Sequence, residues 1–201
     1  MESNWPLIIP PLLTLIDDDT TEYKSKGCEL LTLLLNAAHP DFLQQTGLGE
    51  VFEDAVMPCL SYLPTLTLEI ESLQLLGAAY PALVTLAHVR YPKDGEDRKQ
   101  RTRFLGRVLH QGVLKGYVHA GDHAKIAELL VLQISVLVDE MGVSCVKHFK
   151  ARMPYRNFWV VSLTVVVRTC SPCCRVSYRR LSPRPVLLYF EHLCSQCSKL
   201  F

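Results

Sequence analysis

The sequence predicts an all-α fold: a HEAT/armadillo-like α-solenoid of stacked antiparallel helix pairs over residues 1–150, followed by an irregular tail over residues 151–201. Three observations predict it. Apolar residues recur every three or four positions through successive segments, which is the spacing of one helical face. Proline, glycine and short polar clusters separate those segments. One helix–turn–helix also repeats: Pro11, Leu13, Ile16 and Glu22 align with Pro58, Leu60, Leu63 and Glu69, each 47 residues on and without a gap. Helical pairs with a period of about 40–47 residues mark HEAT or armadillo units, which bury their apolar faces only by stacking on neighbours.

Taken in order, Trp5 to Ile16 is a first helix, kinked or restarted at Pro10-Pro11. Asp17 to Thr21 ends it, because short polar side chains compete for backbone groups and favour turns and N-caps. The next helix spans about Thr21 to Ala37, with Tyr23, Gly27, Leu30, Leu31, Leu34 and Leu35 on one face and Lys24, Lys26 and Glu29 off it. His39-Pro40 closes this unit. After the break at Gly47-Leu48-Gly49, Glu50 to Tyr62 forms a helix and Leu63-Pro64-Thr65 turns the chain. A long helix from about Thr67 to Val89 is expected to bury Ile70, Leu73, Ala79, Tyr80, Leu83 and Ala87. Pro81 removes one backbone donor inside it and should kink it.

The polar loop Tyr91 to Lys99 leads to a further helical face of Leu105, Val108, Leu109, Gly112, Val113 and Gly116. Ala120-Gly121-Asp122 is a loop with an N-cap. Ala124 to Glu140 is helical, with Ile126, Leu130, Ile134, Leu137 and Met141 on one side, and Gly142 to Lys150 is expected to open another helix along Val143, Val146 and Phe149. Ala124 to Phe149 thus reads as a later, weaker unit.

Charge and cysteine divide the chain at the same place. From Met1 to Lys150 there are 13 Lys+Arg against 19 Asp+Glu; from Ala151 onward there are 8 against one acid, Glu191. Cys28, Cys59 and Cys145 sit in helical patterns and are expected in the core, while five of the eight cysteines crowd the tail. No secretory signal and no run of about 18 uncharged apolar residues is visible, so disulfides and a membrane span are not expected.

The tail carries the sharpest chemical pattern. Cys170, Cys173, Cys194 and Cys197 form C-x2-C-x20-C-x2-C, at the upper edge of the spacing for a four-thiolate zinc ribbon. Its basic neighbours Arg168, Arg175, Arg179, Arg180 and Arg184 would lower thiol pKa values and suit nucleic acid. The alternative function is therefore a helical domain with an appended zinc-ribbon nucleic-acid module. Against it, neither CxxC is followed by glycine, and intron read-through or a shifted frame produces the same abrupt basic, Cys/Ser/Arg/Pro-rich composition. The expectation is no metal site and no cofactor.

Elsewhere the signals are weak. His119 and His123 are four apart, but Gly121 lies between them. Asp17 to Asp19 reads as a solvated turn, Arg98 to Arg107 as a solvated helix start rather than a basic docking face, and Gly47-Leu48-Gly49 lacks the rest of a phosphate loop. No catalytic constellation stands out, so the chain reads as a non-enzyme.

The segments WPLIIPPLLTLIDD, GLGEVFEDAVMPCLSYLP and ESLQLLGAAYPALVTLA resemble the fungal form of the second Tel-Two-interacting protein family, the smaller HEAT-repeat subunit of the Triple-T cochaperone complex. The resemblance spans about Trp5 to Lys150 and is closest from Gly47 to Ala87. It implies a non-catalytic scaffold that binds the other two Triple-T subunits. With a heat-shock chaperone and its adaptor, such a complex supports the folding and stability of phosphatidylinositol-3-kinase-related kinases, including the TOR and DNA-damage checkpoint kinases, in cytoplasm and nucleus. No membrane and no small-molecule substrate is implied. Family chains are longer, with more helices after the position of Lys150, so this chain is expected to be truncated with an unrelated tail.

Overall fold

In the computed structural model, residues 5–38, 43, 46–64, 66–92 and 97–145 are described; the five tail cysteines and the expected continuation past Cys145 lie outside them. Helix α1 (Trp5–Asp17) runs through Pro10 and Pro11 without restarting. Helix α2 (Thr21–Ala37) returns beside it after a three-residue turn in which Asp18 Oδ1 accepts a 2.7 Å hydrogen bond from the Thr20 N–H. Helix α3 (Leu48–Val56) tightens at Pro58 into the 3₁₀ turn Met57–Ser61. Gly47 precedes α3 with φ at 69°, a left-handed backbone that glycine adopts without penalty. Helix α4 (Glu69–Arg90) is the longest; α5 (Arg98–Arg107) continues through the π-helical Val108–Leu114 into α6 (Lys115–Ala120). Helix α7 (Ala124–Met141) and the 3₁₀ turn Gly142–Cys145 follow.

These elements pair as α1/α2, α3 with its 3₁₀ turn/α4, and α5 through α6/α7. Helix α2 packs chiefly on α4 and α4 on α7, while α1 meets α3 and the 3₁₀ turn meets the π segment. First helices therefore stack on first helices and second on second, the two-row arrangement of a helical solenoid. The 47-residue offset is visible as burial: Leu12, Cys28 and Leu35 lie in the core, as do their equivalents Cys59, Leu75 and Ala82. Ala124 opens not a new unit but the second helix of the third pair.

Helix α4 is the centre of the stack. Its buried side chains cover most of its circumference, leaving a solvent stripe of Ile70, Gln74, Gly77, Pro81 and His88. Pro81 sits on that stripe, so the Gly77 carbonyl that loses its intrahelical partner faces water, where the loss costs least. Ile70, expected in the core, is 67% exposed.

The buried face of α2 also differs from expectation. It is Lys24, Gly27, Cys28, Leu31 and Leu35, while Tyr23 and Leu30 face solvent. The reason is the approach of α1: Ile16 rests where a Gly27 side chain would begin, and this rotates α2 until Lys24 turns inward. The Lys24 Nζ donates to the Ile16 carbonyl at 3.0 Å and lies 5.1 Å from the Tyr62 ring centroid. A cation at the carbonyl end of α1 complements that helix's dipole, and its contact with Tyr62 ties the first pair to the second.

The face expected along Leu105 to Gly116 is buried in full. The wider π turn brings Gly112 against Leu60 and the hydroxyl of Tyr80. Tyr80 is fully buried, and among the described residues its hydroxyl has no hydrogen-bond partner, so burial pushes its phenol far above the ordinary range. Tyr80→Phe should therefore raise stability by about 1 kcal/mol, since it removes a desolvated group and keeps the ring. Thermal melting checks this, and a clear loss of stability would mean that the hydroxyl is satisfied.

Candidate interaction surfaces

The solenoid has two edges. At one lie the turns within each pair; at the other, the connections between pairs. The second edge holds a set of ion pairs. The guanidinium of Arg90, at the end of α4, donates to Glu53 Oε2 at 3.1 Å and to Glu50 Oε1 at 2.9 Å. Gly49 leaves the space in which the Arg90 stem lies. Arg107 closes on the other oxygen of Glu53. Further along, Arg101 is almost fully buried and donates to the carbonyls of Ala87 and Tyr91, at 3.4 and 2.8 Å, and to Glu140. His88 bonds the same Glu140 oxygen at 2.7 Å. Arg101 thus adds a donor to the Ala87 carbonyl, which also accepts from the Tyr91 N–H, and to the Tyr91 carbonyl just past the end of α4, and joins them to the end of α7.

Burial pushes the Glu53 carboxyl above its ordinary value of 4.5, and Arg107 and Arg90 partly offset the shift. A raised carboxyl binds its proton more tightly folded than unfolded. Its contribution to stability is therefore greatest below pH 4.5 and declines as pH rises through the folded value. Glu53→Gln should flatten the pH dependence of stability above pH 4.5 relative to the parent chain, as read from urea midpoints. An unchanged slope would contradict it.

The residues singled out in the sequence are distributed as follows. Arg98 to Arg107 is not one basic face: Arg101 and Arg107 are taken up in ion pairs, while Arg98, Lys99 and Arg103 are exposed. His123 is the N-cap position of α7, in place of Asp122, and its Nδ1 lies 3.2 Å from Glu69 Oε2 rather than beside His119 as a ligand pair. Asp18 serves its own turn. Among the described residues no group of three His, Cys, Asp or Glu side chains is placed to hold a metal ion. Cys28, Cys59 and Cys145 are buried thiols. A hydrogen bond with Cys59 and burial both push the Cys28 thiol far up, which leaves it chemically quiet.

What the stack offers to a partner is apolar surface. Tyr23, Leu30 and Leu33 are exposed on α2 and Leu132 and Val136 on α7, the first and last helices of the second row. A third patch, Leu66, Leu68 and Ile70, lies on the turn edge. Helix α4 is long and apolar enough to cross a membrane by length and composition, and half of its apolar window is buried inside the stack, as in the core helix of a solenoid.

No solved structure matches the chain. Residues 1–159 match the sequence model described as the Tti2 family, nine residues beyond the change in composition at Ala151. That match covers more than half of the chain and agrees with the helical stack and with the resemblance carried by Gly47 to Ala87: the chain belongs to the Tti2 family.

Proposed function

We propose that this chain is a non-catalytic scaffold subunit of the Triple-T cochaperone complex. In this reading it binds the other two subunits and so supports the folding, assembly and stability of phosphatidylinositol-3-kinase-related kinases, with the heat-shock chaperone and its adaptor engaged indirectly, in cytoplasm and nucleus. Membership of the Tti2 family is the observation that carries the reading, since that family acts in the Triple-T complex. The architecture is compatible with it. Two rows of helices present extended faces, and the open sides of α2 and α7 expose Leu30, Leu33, Leu132 and Val136 as anchors. A few such buried anchors supply most of an interface's binding energy.

The test is copurification of the tagged full chain with the other two Triple-T subunits, with Leu33→Asp and Leu132→Asp as surface variants. Retention of both subunits, reduced by at least one variant, is expected. Failure of the parent chain to retain either subunit defeats the reading. No cofactor or small-molecule substrate belongs to it. One tightly held zinc per purified chain would instead assign a role to Cys170, Cys173, Cys194 and Cys197, outside the described residues.

A further inference from the structure

The turn between the 3₁₀ segment and α4 is built inside out. Leu66, Leu68 and Ile70 are 75%, 70% and 67% exposed, while the polar residues between and beside them are tied down. Thr67 Oγ1 bonds the Leu63 carbonyl at 3.3 Å and the Ser72 hydroxyl at 2.6 Å. The N–H groups of Leu66 and Thr67 both donate to the Leu63 carbonyl, and Ser72 N–H donates to Leu68 O. Glu69 is held by His123 of the next pair and Glu71 by Thr21 of the previous one, each at 3.2 Å. Three large apolar side chains are thus presented on a braced backbone. Leaving them in water forgoes about 25 cal/mol for each Å² of apolar surface. An exposed apolar patch of this kind is informative where a single exposed leucine is not.

The surroundings name the partner's chemistry. The same hydrogen bonds place the three turns of this edge side by side. Their sequences, residues 17–22, 62–71 and 119–123, carry seven acids (Asp17, Asp18, Asp19, Glu22, Glu69, Glu71 and Asp122) and no Lys or Arg. Lys24 on α2 is buried and Lys125 in the first turn of α7 is exposed, so acids still outnumber bases along this edge. An apolar knuckle in an anionic frame matches an amphipathic segment whose apolar face is bordered by Lys or Arg.

We infer that the turn edge around Leu66, Leu68 and Ile70 is a docking surface for a cationic amphipathic helix of a partner protein, separate from the open faces of α2 and α7; this rests on reading the chain as a binding scaffold. Docking seats the partner's apolar residues on the three side chains, and the acids set its orientation and exclude anionic competitors.

The experiment titrates the full-length chain into two fluorescent helical peptides of about 18 residues, with leucines at i, i+3, i+4 and i+7 and either lysine or glutamate elsewhere. The lysine peptide should bind, more weakly as NaCl rises from about 0.05 to 0.5 M, and the glutamate peptide should not. Leu68→Asp discriminates, because it adds a negative charge at an exposed N-cap position where aspartate is compatible with the helix. Binding by charge alone would then tighten, whereas docking on the apolar knuckle should weaken about tenfold. Asp19→Lys should weaken binding and reduce its salt dependence. Tighter binding to L68D, equal binding of the two peptides, or no binding overturns the inference. So does a dimer of the chain, seen by sedimentation, that L68D dissolves. Because no Triple-T subunit is present, failure here leaves the copurification result standing, and the reverse also holds.

Discussion

Arg101→Ala is expected to destabilise the fold by about 3–5 kcal/mol, the cost of breaking a buried ion pair from one side. The side chain is nearly inaccessible, and its guanidinium satisfies two backbone carbonyls and the Glu140 carboxylate at once. Removing it takes a charged donor from the Ala87 and Tyr91 carbonyls near the end of α4, of which Ala87 still accepts from the Tyr91 N–H, and it takes the guanidinium from Glu140, which His88 also contacts. On about 150 residues that loss lowers the melting temperature by roughly 10 °C. Arg101→Lys separates charge from geometry. One ammonium cannot span the three acceptors, so it should recover only part of the loss. Guanidinium denaturation of the three proteins checks this. If Arg101→Ala costs less than about 1 kcal/mol, the pair behaves as a solvated surface bridge.

Gly27→Ala carries the second large effect, and its sign is the point. Alanine in a helix interior is favoured over glycine by about 1 kcal/mol. At Gly27, however, a Cβ would stand 2.7 Å from Ile16 Cγ1 and 2.9 Å from the Ile16 backbone nitrogen. Backbone cannot move aside as a flexible side chain can, and overpacking of this kind costs about 1–3 kcal/mol or more. Net destabilisation of about 1–2 kcal/mol is expected, with α1 and α2 pushed apart. Gly77→Ala is the matched control. It lies in the middle of α4 on the solvent stripe, with nothing within 4 Å of its Cβ position, so it should gain about 0.5–1 kcal/mol. Opposite signs from one chemical change, measured by denaturant midpoints, would place the α1–α2 contact where the structure has it. Matching signs would not.

Much of this architecture was readable because the helical signal is local. The spacing of Ile126, Leu130, Ile134, Leu137 and Met141 placed α7 and its buried face correctly, and the 47-residue offset paired the first two units. The same periodicity misjudged α2. That helix has apolar residues on two stripes, and only the close approach of Ile16 to Gly27 decides which is buried. Ile70 differs from expectation for a related reason: the helical spacing points it inward, and the anchoring of Thr67, Glu69 and Glu71 turns it out beside Leu66 and Leu68.

The charged residues mark the boundary most clearly. Arg98 to Arg107 looks like a uniform solvated stretch in the sequence, yet Arg101 reaches Glu140 across 39 positions and Arg90 reaches Glu53 across 37. Hydrogen-bond spacing along one helix is written in neighbouring residues, so the sequence by itself determined that this protein is a stack of helical pairs and which family's motifs it carries. Which face each helix buries, which bases are consumed in ion pairs, and where apolar surface is left for a partner depend on side chains brought together from distant helices, and only the tertiary structure decided them.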